Sequence, residues 1–156
     1  MTLPVPRIEN SGAKYFVGLR LSMSFVQNRT AELWKAFMTT RPRIKNPVST
    51  DLYSLQIYPE VLTPTTVFEK WALAEVPEGT SAPEGMESFW LADGQYAVFP
   101  YKGHPAAAQP FFEEIFRVWL PASDYSLDSR PHFEVLGSGY RNNDPDSEEE
   151  VWIPVK

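Results

Sequence analysis

The chain has 156 residues, a formal net charge of −6, 14% aromatic residues, 15 prolines and no cysteine. Its length suits one domain with a real core, and its 43% apolar share is that of a globular protein. Lack of cysteine excludes disulfides, thiolate metal sites and a cysteine nucleophile, and with only His104 and His132 a histidine-rich metal centre is excluded too, so neither metal nor cofactor is expected.

In chain order, residues 1–13 read as an extended, proline-containing lead-in, followed by a strand-like run from Lys14 to Ser24. Asn28 can cap a helix running to about Thr40, in which Leu33, Trp34, Phe37 and Met38 form an apolar stripe, and Arg41-Pro42 ends it. Leu52 to Tyr58 alternates cleanly, with Leu52, Ser54, Gln56 and Tyr58 on one face and Tyr53, Leu55 and Ile57 on the other. Val67 to Val76 is a further strand, with Phe68, Lys70, Ala72 and Ala74 opposed to Val67, Glu69, Trp71 and Leu73. The polar run from Pro77 to Gly85 then serves as a mid-chain linker.

Glu87–Leu91 and Gln95–Tyr101 flank Ala92-Asp93-Gly94, whose Asp-Gly pair predicts a hairpin. Phe112, Ile115, Phe116 and Trp119 repeat at helical spacing, with Pro105 or Pro110 in the first turn and Pro121 as the stop. Phe133–Tyr140 and Glu149–Val155 read as the last strands, with Pro154 suited to an edge or strand end. The order strand-helix-strand-strand thus occurs twice, in halves of about 14–78 and 87–156. It predicts an α+β fold of duplicated strand-helix-strand-strand units with pseudo-two-fold symmetry around a central ligand cleft.

Charge is uneven. Residues 1–45 hold eight bases against Glu9 and Glu32, while the remainder is strongly acidic. The bases are dispersed rather than clustered, so no direct nucleic-acid binding is expected, and the acidic remainder disfavours anionic membranes while tolerating cationic ligands. No apolar run reads as a signal peptide or a membrane span, and the expected location is the cytoplasm. No phosphate-binding glycine loop, Ser-centred nucleophile motif or metal-ligand spacing appears.

One stretch concentrates the chemistry. PHFEVLGSGY, residues 131–140, sets Glu134 in an aromatic strand, sharing a face with His132 and Leu136. An acid there either points to solvent, the default, or sits inside for a purpose.

Together with that stretch, SMSFVQNRTAELWKAFM, LYSLQIYP, FEKWALAEV, GQYAVFPYKG, FEEIFRVWLPASDY and the terminal EEEVWIPVK resemble the GyrI-like family in order and spacing, over about Lys14 to Lys156. This is a small-molecule-binding domain related to the effector-binding domains of AraC-type and multidrug-responsive bacterial regulators. The resemblance implies an aromatic-walled cleft for lipophilic, often cationic, ligands with an acid at its base. That acid falls on Glu134, and the family's closing strand on Glu150 and Trp152. Trp71, Trp90, Tyr96, Tyr101, Phe112 and Trp119 are candidates for the walls, although core packing is the commoner fate of each alone. His132 is a further ligand-binding candidate beside Glu134.

Regulator members carry a helix-turn-helix domain in the same chain, for which the thirteen residues before the first strand leave no room. The expected function is therefore that of a stand-alone small-molecule-binding protein. One alternative is a hydrolase of electrophilic cyclopropane-type toxic compounds, in which Glu134 would activate water and His132 assist. The other is a gyrase-inhibitor-like protein-binding role using the acidic run Asp144–Glu150, for which a solvated turn is the plainer reading.

Overall fold

Strands form where apolar and polar residues alternate, and the structure, a computed structural model describing residues 3–156, pairs them into one eight-stranded antiparallel sheet. Met1 and Thr2, the start of the predicted lead-in, lie outside the described residues. The strands are β1 (Arg7–Asn10), β2 (Lys14–Met23), β3 (Leu52–Ile57), β4 (Phe68–Val76), β5 (Glu87–Leu91), β6 (Gln95–Lys102), β7 (His132–Leu136) and β8 (Glu148–Pro154). Their order across the sheet is β1-β6-β8-β7-β3-β4-β2-β5. Exchanging β1–β4 with β5–β8 reverses that order onto itself, which is the expected α+β duplication with its pseudo-two-fold axis between β3 and β7.

Two expectations are corrected here. The lead-in contains a strand, β1, which pairs with β6 from Arg7↔Val98 to Asn10↔Gln95. The predicted hairpin at Asp93-Gly94 does not form: β5 pairs with β2, while β6 pairs with β1 and β8. Residues 92–94 are a crossover instead, and Gly94 leaves room for the Arg130 guanidinium, which a Cβ there would have to displace. Each half therefore lends its first strand to the other half. The connectors 11–13 and 92–94 meet where the Ser11 amide donates to the Gly94 carbonyl at 2.8 Å. A three-residue link spans at most roughly 14 Å between the strand ends it joins. The sheet must therefore curl until its two edges approach.

Curling encloses one face. Phe16, Tyr53, Leu55, Trp71, Leu73, Leu91, Tyr96, Val98, Phe133 and Trp152, from β2 through β8, pack there as one cluster. Phe133 stacks on Trp152 at 5.1 Å and meets Tyr96 edge-on at 5.0 Å. The fully buried Tyr96 also donates its hydroxyl to the Pro131 carbonyl at 2.8 Å. Tyr96→Phe is expected to leave that carbonyl unpaired and cost about 1–3 kcal/mol, read as a lower urea midpoint at unchanged slope.

The other face carries the helices. Helix α1 (Thr30–Thr40) buries Leu33 and Phe37 against β2 and β4, with Trp34 partly buried. Met38, expected in the stripe, is 47% exposed, since it has turned off the buried arc. Asn28 accepts the Thr30 amide at 2.9 Å, although Arg29 holds the capping position before the helix. The second helical run starts as α2 (Gln109–Glu114), widens into a π-turn at Ile115–Trp119 and ends as α3 (Leu120–Ala122). Pro110 occupies its first turn as expected. Pro121, expected as the stop, lies within the last turn rather than beyond it. It has no N–H for the carbonyl four residues back, and the widened turn just ahead is a usual accommodation of that loss. Phe111 and Ile115 pack this run on β6 and β8.

Candidate functional site

With one helix over each half, the middle of that face, β3 and β7, is the floor between them. Strand alternation decides which side chains stand on it. From β3 these are Ser54 and Gln56, both buried, and from β7 His132, Glu134 and Leu136. Register places Ser54 opposite Glu134 and Gln56 opposite His132. On the next strands out, Lys70 of β4 faces Gln56, and Glu134 faces Val151 of β8, which puts Glu149 on its diagonal.

The floor is polar, with Ser54, Gln56 and His132 buried and Glu134 and Lys70 half-buried. The Gln56 amide donates to Glu134 Oε1 and to Ser54 Oγ, each at 3.1 Å. Burial pushes the Glu134 carboxyl up to about 7, against the pull of Lys70 and the Gln56 hydrogen bond. Glu149 is also lifted to about 7, by burial and then by the Glu134 charge, with Lys70 opposing. Burial draws the Lys70 ammonium below its ordinary value, while both carboxylates pull it back. Its Nζ donates to Thr30 Oγ1 at 3.2 Å. His132 is brought down to about 4 by burial and is neutral at pH 7. The floor therefore holds two carboxyls poised near neutrality and one ammonium.

Aromatic rings cover it. Tyr58 meets His132 edge-on at 5.0 Å and packs on Phe68, and Phe25 closes over both rings. From the π-turn of the second helix, Phe116 lies 6.1 Å from His132. Such turns often occur at functional sites because they re-aim side chains. At the Glu149 end a cavity of about 800 Å³ opens, lined by Tyr101, Phe111, Val135, Gly137, Glu148 and Glu149 among others.

Of the residues expected at the site, the structure brings His132 to Glu134 and sets Tyr101 in the cavity wall. Trp71, Tyr96 and Trp152 stand on the opposite face, inside the enclosed aromatic cluster. That placement corrects their expected role as walls beside Glu134: their strand positions alternate away from it. Phe112 and Trp119 pack onto the cluster beneath the second helix, Trp119 stacked on Tyr125. Trp90 projects from edge strand β5, 58% exposed.

Sequence reading passed over Lys70, Gln56, Ser54, Tyr58 and Glu149. A signal did exist: Lys70 is the one charged residue among Phe68, Ala72 and Ala74 on its strand face. The acidic run is also not uniformly solvated. Ser147 is buried, and Glu149 and Glu150 are partly so. Among the described residues no group of His, Cys, Asp or Glu could hold a metal ion, and no helix is long and apolar enough to cross a membrane.

Residues 4–156 match the family described as GyrI-like small molecule binding domain. The chain is 27% identical over 154 residues to the transcriptional regulator BrlR of Pseudomonas aeruginosa, covering 96% of this chain and 54% of the regulator. It thus spans about half the length of that relative. Among solved structures it is similar to SAV2435 bound to tetraphenylphosphonium, with a TM-score of 0.75 and 19% identity over 97% of this chain and 93% of the other. It is likewise similar to the EcmrR C-terminal domain, with a TM-score of 0.76 and 10% identity over 100% and 99%.

Proposed function

This chain belongs to the GyrI-like family of small-molecule-binding domains, and from that premise we propose that its two halves act as one domain holding a lipophilic, cationic molecule over Glu134. One observation carries the reading: a carboxylate lies on an aromatic-covered floor with an amide as its hydrogen-bond partner and no cation within ion-pair distance among the described residues. Burial of such a group is costly, and an incoming cation offsets that cost. Tyr58, Phe116 and Tyr101 supply ring faces that attract the same charge. The tetraphenylphosphonium held by the similar structure is a molecule of this class. His132 would shape the floor as a neutral ring, and the proposed setting is the cytoplasm, where a chain without cysteine loses nothing.

Thermal melting against tetraphenylphosphonium, a neutral aromatic and an aromatic sulfonate tests the reading. The cation is expected to raise the melting point in a saturable way, by mass action, while the others leave it unchanged. Equal shifts for all three, or none, would sink the proposal. Steady disappearance of an electrophilic cyclopropane compound, abolished in Glu134→Gln, would favour hydrolysis instead.

A further inference from the structure

The pseudo-two-fold axis exposes an asymmetry of charge. An offset of 80 residues carries β1, β2 and β3 onto β5, β6 and β7 to within a residue at each end, and Ser54 onto Glu134, so the axis passes through the Ser54↔Glu134 pair; Gln56 on β3 then corresponds to Leu136 on β7. Gln56 faces Lys70 on β4, and Leu136 faces Glu149, the next position after the Val135↔Glu150 pair. Lys70 and Glu149 therefore occupy equivalent places on either side of Glu134, one positive and one negative. The site is polarised across its own symmetry axis.

Lys70 is poorly provided for. Its ammonium has three donors, and its one hydrogen bond among the described residues is to the Thr30 hydroxyl. Among the described residues no carboxylate lies within 4.0 Å of it. Thr30 is the first residue of α1, so this cation sits at the helix end that disfavours cations and attracts anions. Asn28 takes the Thr30 amide, and Arg29 adds no side-chain cap, so the Ala31 and Glu32 amides of the first turn have no partner within the helix. A partly buried lysine with open donors, placed against a helix dipole, is a poor structural choice and a good anion receptor.

Resting on the cation-binding reading above, we infer that the preferred ligand is a lipophilic zwitterion, its cation between Glu134 and Glu149 and its anionic or strongly accepting group on Lys70 at the start of α1. A simple lipophilic cation leaves Lys70 unpaired and repelled, and is the weaker ligand.

Calorimetry on wild type, Lys70→Met, Lys70→Gln and Glu134→Gln with two probes tests this. The probes are tetraphenylphosphonium and 3-(triphenylphosphonio)propane-1-sulfonate, which share aromatic bulk and cation but differ by the sulfonate. Wild type is expected to bind the zwitterion about tenfold more tightly. Lys70→Met should lose about tenfold for the zwitterion and gain several-fold for the cation, as its like charge is gone; Lys70→Gln, which keeps a donor, should fall between. Unchanged zwitterion affinity in Lys70→Met, or equal loss of both probes in a variant that melts like wild type, overturns the inference. If both probes depend on Glu134 and neither on Lys70, the cation-binding reading stands and only this inference falls. If neither probe binds wild type, both fall.

Discussion

Glu134→Gln is expected to weaken binding of tetraphenylphosphonium by about 30- to 150-fold, or about 2–3 kcal/mol, when measured by calorimetry at pH 8. Glutamine keeps the shape and the hydrogen bond to Gln56 but removes the charge that answers the ligand's. The same substitution should raise stability at that pH. In wild type a carboxylate whose folded pKa is about 7 must be ionised on a largely desolvated floor, at a cost on the order of 3 kcal/mol. The variant escapes that cost and is expected to melt several degrees higher at pH 8, yet like wild type at pH 5. A residue whose removal strengthens the fold while weakening binding is held there for the ligand. Equal binding by the variant would remove Glu134 from the site.

Stability and cation affinity should run in opposite directions with pH. Glu134 and Glu149 both have folded pKa values raised to about 7, above the unfolded carboxyl value near 4.5. In that window the folded state binds more protons than the unfolded state, so unfolding free energy is full below about 4.5 and falls as pH rises toward and through 7. Lys70, whose pKa is lowered, binds protons less readily when folded and opposes this trend only in the alkaline range. His132, lowered to about 4, binds fewer protons when folded between about 4 and 6.5 and so adds stability as pH rises there. It cancels about half of the carboxyl trend below 6.5, so the net fall is expected between about pH 5 and 7.5 and levels off by about pH 8, where both carboxyls are ionised in either state. Tyr58 and Tyr140, both raised by burial and by these carboxylates, stay neutral throughout. Affinity for a permanent cation should climb about tenfold from pH 6 to pH 8 as the pair ionises, and flatten in Glu134→Gln. The two carboxyls titrate as a coupled pair, so the transition will be broader than that of one group. A pH-independent affinity would show that neither carboxyl meets the ligand.

Much of the architecture was legible because it is local. The alternation Leu52-Ser54-Gln56-Tyr58 already described the face that became the floor, and HFEVL already put Glu134 beside His132 on one side of its strand. The spacing of Phe112, Ile115, Phe116 and Trp119 marked the second helix, although not its π-turn, which follows from Pro121 acting on carbonyls behind it. What stayed hidden depends on partners distant in sequence. That β1 pairs with β6, and β5 with β2, cannot be read from strands whose neighbours lie in the other half; the Asp93-Gly94 pair carries the same local signature whether the chain folds back or crosses over. Nor does an aromatic count reveal which face a ring takes. Trp71 and Lys70 are adjacent, and one is core while the other stands on the floor. Only the register across β4, β3, β7 and β8 brings Lys70, Glu134 and Glu149 together.

The lending of first strands between halves has a consequence for how the chain reaches this structure. A half on its own lacks the strand that closes its outer edge, since that strand is encoded in the other half. Neither half is thus a self-sufficient folding unit, despite the apparent duplication, and the final pairings join residues as far apart as Arg7 and Val98. Closing such long loops is an entropic cost met before the contacts repay it, so folding belongs to the slower, high-contact-order regime. On a ribosome, β1 emerges before the other strands of this sheet and waits unpaired until β6 has been made. The edge most in need of protection during synthesis is therefore the one that β1 presents.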